Sequence, residues 1–118
     1  SNKVKMMLVL LLILLKETGP TTACSSSCSS DCDCSSRGLS SVPQDLPTNI
    51  TRLDLENNGI TTIGQYDFYR YRSLEILDLR DNQISMIHSR AFYNLTSLTE
   101  IDLFGNQLTT LSADIFEG

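Results

Sequence analysis

Four cysteines, Cys24, Cys28, Cys32 and Cys34, lie within eleven residues and are the side chains best suited to covalent or metal chemistry. Clustered thiols either pair or bind zinc. Their spacing is not a C-x-x-C pair followed by a second one, and a secretory leader (below) points to an oxidising compartment, so disulfides are expected and no metal. A Cys32–Cys34 bridge would strain disulfide geometry. That leaves 24–32 with 28–34, or 24–34 with 28–32. The single histidine, His88, has no Ser or Cys nucleophile placed beside it, so no catalytic residue is assigned and no enzyme is expected. Asp54, Asp78 and Asp102 recur at a fixed interval. Calcium takes such oxygen ligands, but a flat row of carboxylates lacks the wrapping loop that calcium sites use, and no cofactor is expected. Two sequons, Asn49-Ile50-Thr51 and Asn94-Leu95-Thr96, make Asn49 and Asn94 candidate glycosylation sites in a secreted chain.

A repeat positions these residues. Leu77-Asp78-Leu79-Arg80-Asp81-Asn82-Gln83-Ile84 is preceded 24 residues earlier by Leu53-Asp54-Leu55-Glu56-Asn57-Asn58-Gly59-Ile60. It is followed 24 residues later by Ile101-Asp102-Leu103-Phe104-Gly105-Asn106-Gln107-Leu108. The same interval relates Ile50, Leu74 and Leu98, then Ile63, Ile87 and Leu111, then Phe68, Phe92 and Phe116, which read as a core spine. An L-x-x-L-x-L-x-x-N core at this period marks an α/β-type solenoid of stacked units. Short parallel strands are predicted over 52–56, 76–80 and 100–104, with irregular or short helical segments opposite. Alternation along a strand sends Leu53, Leu55, Leu77, Leu79, Ile101 and Leu103 inward.

Residues 1–23 follow a different logic. Lys3 and Lys5 precede an apolar run from Met6 to Leu15, then a polar stretch reaches Ala23. That is the order of a secretory signal peptide, and its apolar run is about half what a membrane span needs. Its removal takes away three lysines and one glutamate, which moves the formal net charge from −5 to −7. Six scattered arginines on an acidic chain lack the footprint of a nucleic-acid binder.

Gly38-Leu39-Ser40-Ser41-Val42-Pro43 imitates the second half of a repeat, with Leu39 and Val42 each 21 residues before Ile60 and Ile63. The clustered cysteines, this G-L-x-x-V-P segment and the 24-residue units resemble the extracellular leucine-rich repeat family with its cysteine-rich N-terminal cap. Toll-like receptors, Slit, the small matrix proteoglycans and the variable lymphocyte receptors belong to that family. The resemblance implies a right-handed coil with a parallel sheet on its concave face. It implies a layout of signal peptide (1–23), cap (24–49) and repeats (50–73, 74–97 and an incomplete 98–118). It implies Cys24–Cys32 and Cys28–Cys34 pairing, although only Asp33 separates the last two cysteines here. It further implies that Asn58, Asn82 and Asn106 form a ladder serving the backbone. The cap would cover the apolar face of the first repeat.

The outward strand positions then form the candidate binding face: Arg52, Asp54 and Glu56, next Ile76, Asp78 and Arg80, then Glu100, Asp102 and Phe104. The aspartate column reads as solvated carboxylates, Phe104 and Ile76 as apolar anchors with Arg80 beside them, and Glu56 as a possible cross-strand partner of Arg80. The expected function is extracellular recognition of a protein partner, secreted or at the cell surface. Alternatives are a matrix-organising protein of the small proteoglycan type and a receptor ectodomain whose membrane span would lie in a further C-terminal segment. The chain ends without a second cap, so a fragment of a longer protein is expected.

Overall fold

The computed structural model describes Cys24, residues 28–111, Ile115 and Phe116. The signal-peptide expectation for 1–23 lies outside these residues. Six short strands follow one another: β1 (Asp31–Asp33), β2 (Arg52–Asp54), β3 (Thr62–Ile63), β4 (Ile76–Asp78), β5 (Met86–Ile87) and β6 (Glu100–Asp102). β1, β2, β4 and β6 form one parallel sheet in that order, with Arg52 opposite Ile76 and Ile76 opposite Glu100. Each strand sits beside the one a full repeat earlier, so the 24-residue period of the sequence is the register of the sheet.

The strands are two residues shorter than predicted, although parallel bonding runs on past their ends. Leu55 N–H donates to Asp78 O at 2.8 Å and Asn57 N–H to Arg80 O at 2.9 Å. The chain then turns through a left-handed residue in every unit: Ser36 (φ 54°), Asn57 (58°), Asp81 (55°) and Gly105 (75°). That conformation cannot continue an extended strand. Beyond the turn, β3 and β5 pair in a second, two-stranded parallel sheet that the repeat motif did not announce.

The opposite flank has no helix among the described residues. It is a run of i→i+3 turns: Tyr69 N–H to Tyr66 O (3.2 Å), Tyr71 N–H to Phe68 O (3.0 Å) and Leu74 N–H to Tyr71 O (3.2 Å). The next unit repeats them in register, with Tyr93 to Arg90, Leu95 to Phe92 and Leu98 to Leu95 at 3.1 Å each.

The core fills the space between these flanks. Ile50, Leu53, Leu55, Ile60, Phe68, Tyr71, Leu74, Leu77, Leu79 and Ile84 are fully buried. Each such side chain contributes about 1.5–3 kcal/mol gross. Phe68, Phe92 and Phe116 stack with centroids 6.0 and 5.6 Å apart. Burial falls off along the stack: Phe116 is 52% and Leu111 49% exposed, against full burial at Phe68 and near-full burial at Ile63. These two residues are repeat positions without core burial, because no described residue packs on the far side of the third unit.

Asn58, Asn82 and Asn106 lie where the chain turns inward. Asn82 Nδ2 donates to Leu55 O in the previous unit (3.0 Å) and to Leu79 O in its own (3.1 Å), while its Oδ1 accepts from Ile60 N–H (3.2 Å). Asn106 repeats this on Leu79 O, Leu103 O and Ile84 N–H. Asn58 does the same for the cap, accepting from Arg37 and Leu39 N–H and donating to Cys34 O, each at 3.0 Å.

The cap is bonded as Cys24–Cys34 and Cys28–Cys32, with Cα separations of 5.1 and 4.8 Å. This corrects the pairing that the family resemblance implied. With a single residue between them on β1, Cys32 and Cys34 project to the same inner face, and both are fully buried. A segment approaching from before β1 and doubling back onto it meets Cys32 with its later cysteine and Cys34 with its earlier one, which gives nested bridges instead of crossed ones.

Candidate functional site

The outward side chains of the four-stranded sheet make one face, and it is longer than the repeats alone suggested. β1 adds Asp31 beside Arg52 and Asp33 beside Asp54. The signal for this was available: the 21-residue offset that relates Leu39 to Ile60 also relates Asp33 to Asp54.

The aspartate column therefore has four members, and they are not merely solvated. In each, Oδ1 accepts the backbone N–H two residues on: Ser35 (3.0 Å) for Asp33, Glu56 (2.9 Å) for Asp54, Arg80 (3.0 Å) for Asp78 and Phe104 (3.0 Å) for Asp102. These are Asx turns, in which a short carboxylate replaces a strand partner at the point where the ladder ends. The same atoms that look like ligands terminate the strands.

Arg80 organises the centre of the face. Its Nη2 lies 2.8 Å from Asp78 Oδ2 and 3.2 Å from Glu56 Oε2, and its Nε lies 3.5 Å from Asp102 Oδ2. One guanidinium thus bridges three strands, and Asp78, expected to face solvent, is only 8% exposed beneath it. Burial by itself would push the Asp78 carboxyl up, but the hydrogen bonds and charge of Arg80 outweigh it and hold the group below its ordinary value. Asp78 in return raises the guanidinium further above its already high value. Asp54 has no such partner: desolvation, and then the charges of Asp78 and Asp33, push its carboxyl up. Hydrogen bonds from Ser35 lower Asp33.

Ligand oxygens of Asp54, Glu56 and Asp78 lie within 4.8 Å of one another, close enough to share a cation. The Arg80 guanidinium already bonds two of the three carboxylates. The remaining face residues differ in availability. Arg52 is exposed, 3.8 Å from Asp31; Glu100 is exposed; Ile76 is partly buried. Phe104, at 76% exposure, is the most solvent-facing large apolar residue of the described chain. His88 is exposed on the other side, its Nδ1 accepting Arg90 N–H at 3.0 Å. Asn49 is exposed, whereas the Nδ2 of Asn94 is buried.

A second feature escaped the repeat reading. Tyr66, Tyr69 and Tyr93 are about half or more exposed on the turn-rich flank. The signal lay in Y-x-x-Y-R at 66–70 and R-x-x-Y-N at 90–94, one period apart.

Comparison with known proteins fits this geometry. Decorin from Gallus gallus and decorin from Homo sapiens are each 50% identical to the chain over 44 residues, 37% of this chain and 12% of theirs. Toll-like receptor 3 from Boselaphus tragocamelus is 47% identical over 45 residues, 38% of this chain and 5% of the receptor. The matched stretch is thus a small part of each of these relatives. The family profile described as leucine rich repeat matches residues 48–118, the segment that carries the Asn ladder and three of the four strands of the main sheet. The chain belongs to the leucine-rich repeat family.

Proposed function

We propose that this segment is an extracellular recognition module whose four-stranded face binds a basic protein surface. The observation that carries the reading is the composition of that face. Asp31, Asp33, Asp54, Glu56, Asp78, Glu100 and Asp102 stand against Arg52 and Arg80, and Phe104 lies exposed at one edge. A desolvated aromatic anchor beside unpaired carboxylates suits an apolar residue flanked by Lys or Arg. Arg80, committed to three carboxylates, acts as scaffold instead of contact. The decorins and the Toll-like receptor resemble the chain to nearly the same degree over nearly the same length, so what they share with it is the repeat surface. Two cystines suit an oxidising compartment, which supports the extracellular placement. No nucleophile and base converge on the face among the described residues, which supports binding over catalysis.

A displayed peptide library panned on the immobilised chain tests this. Enriched peptides should be basic with an apolar residue, weaken as salt rises, and lose at least tenfold in affinity against Phe104→Ala. Peptides that are acidic, or that bind Phe104→Ala and Glu100→Lys as well as the parent, would place recognition elsewhere.

A further inference from the structure

The tyrosine-bearing flank plays no part in the concave-face reading. Tyr66, Tyr69 and Tyr93 are 65%, 54% and 47% exposed, an unusual concentration of aromatic surface in water. Tyr69 and Tyr93 occupy equivalent positions of successive repeats, as do Tyr66 and Arg90. Tyr66 meets Tyr69 edge-on at 5.8 Å, and the Arg90 guanidinium carbon lies 5.0 Å over the Tyr93 ring. Together they border a depression of about 50 Å³ whose rim includes Asn94. Drug-sized ligands need about 300 Å³ or more, so an occupant lies across the rings and not in a hole between them. Asn94 opens the sequon Asn94-Leu95-Thr96, and its Nδ2 has no hydrogen-bond partner. No backbone group of the fold uses this amide as the Asn ladder uses its own.

We propose that Asn94 carries an N-linked glycan whose first sugars lie across Tyr66, Tyr69 and Tyr93, so that the chain supplies the cover for its own aromatic patch. This rests on the extracellular placement above. The donor is a lipid-linked oligosaccharide pyrophosphate. Asn94 Nδ2 bonds to C1 of the first N-acetylglucosamine, the C1–O bond breaks, the lipid pyrophosphate leaves with the bonding pair, and the amide proton passes to the transferase base. Transfer precedes folding, since the i→i+3 turns around Asn94 bury its nitrogen once closed. Turning the carboxamide over exchanges Oδ1 and Nδ2 and sets the linked nitrogen outward. The polarised C–H faces of the sugars then meet the negative faces of the tyrosine rings, and Arg90 and Gln65 offer donors to hydroxyl groups at the rim.

The chain is expressed with its own residues 1–23 in a glycosylating secretory cell line. Peptide-N-glycosidase treatment in heavy-oxygen water followed by mass spectrometry reads occupancy at Asn49 and Asn94. Most molecules should carry the label at Asn94. Nitration of Tyr66, Tyr69 and Tyr93 by tetranitromethane should be at least threefold slower than in Thr96→Ala, which removes the sequon from an exposed position, with Asn94→Gln as the second sequon-free variant. Asn49 occupied and Asn94 bare overturns this inference while leaving the extracellular reading intact. Asn94 occupied with unchanged nitration overturns the cover. Both asparagines bare in a chain retained in the cytosol overturns the placement and the inference together.

Discussion

Asn82 holds two coils together through a single carboxamide. It bonds Leu55 O, Leu79 O, Arg80 O and Ile60 N–H, and it is 5% exposed. Asn82→Leu keeps the volume and strands those groups, each buried unsatisfied group costing about 1–3 kcal/mol. The variant should lose about 3 kcal/mol and at least 10 °C in Tm, read by circular dichroism; a melt within 2 °C of the parent would remove the ladder from the account. Asp54 and Asp78 respond to pH in opposite senses. Asp54 binds its proton more tightly folded than unfolded, so its ionisation weakens the fold at neutral pH and is relieved as pH falls through its raised value, above 3.8. Asp78 is depressed, so its contribution is complete above 3.8 and lost as pH falls below it. Asp54→Asn keeps the Asx acceptor and removes the charge. It should melt higher than the parent at pH 7, and the two should converge by about pH 3, as a series of melts would show. The Asp column was visible in the sequence as a spelling of the repeat, but its turn-forming role was not, because one hydrogen bond decides it and spacing does not report bonds.

At the scale of elements, the sharp turn after each strand sets where the face ends. Gly105 takes the left-handed conformation, and a Cβ built on it would come within 2.2 Å of Asp81 Oδ1 in the preceding unit. Gly105→Ala should therefore cost more than the roughly 1 kcal/mol of a left-handed residue alone, with the Asp81 side chain displaced. Hydrogen exchange at Asp81 N–H, which bonds Phe104 O at 2.9 Å, should speed up by at least tenfold; unchanged exchange would mean that the turn adapts freely. The inward leucines and the parallel register followed from period alone. The β3–β5 sheet did not, since two-residue strands leave no alternation to read. Nor did the Tyr71 hydroxyl, which donates to Pro43 O at 2.5 Å and accepts from Leu46 N–H at 3.4 Å, fastening the cap to a repeat.

Across the whole molecule, the cap continues the sheet, so its disulfides should stabilise more than the cap. β1 pairs with β2, and Cys32 and Cys34 belong to the same buried core as Leu53 and Leu55. Reduction should remove about 2–4 kcal/mol per bridge and lower the single cooperative Tm instead of splitting the transition; a separate low-temperature phase with the main melt unmoved would make the cap an independent unit. Peptide mapping under non-reducing conditions should recover Cys24–Cys34 and Cys28–Cys32 linkages.

The sequence by itself determined the coil: a 24-residue period in apolar side chains and one asparagine can be buried in only one way, by stacking units in register. Tertiary structure decided what the period does not encode. The nested bridges, the capture of Asp78 by Arg80, the entry of Asp31 and Asp33 into the face and the meeting of Tyr66, Tyr69, Tyr93 and Asn94 all depend on which side chains face each other across neighbouring turns. Such contacts join positions whose types vary from unit to unit, so they are set by geometry in space and leave no recurring mark along the chain.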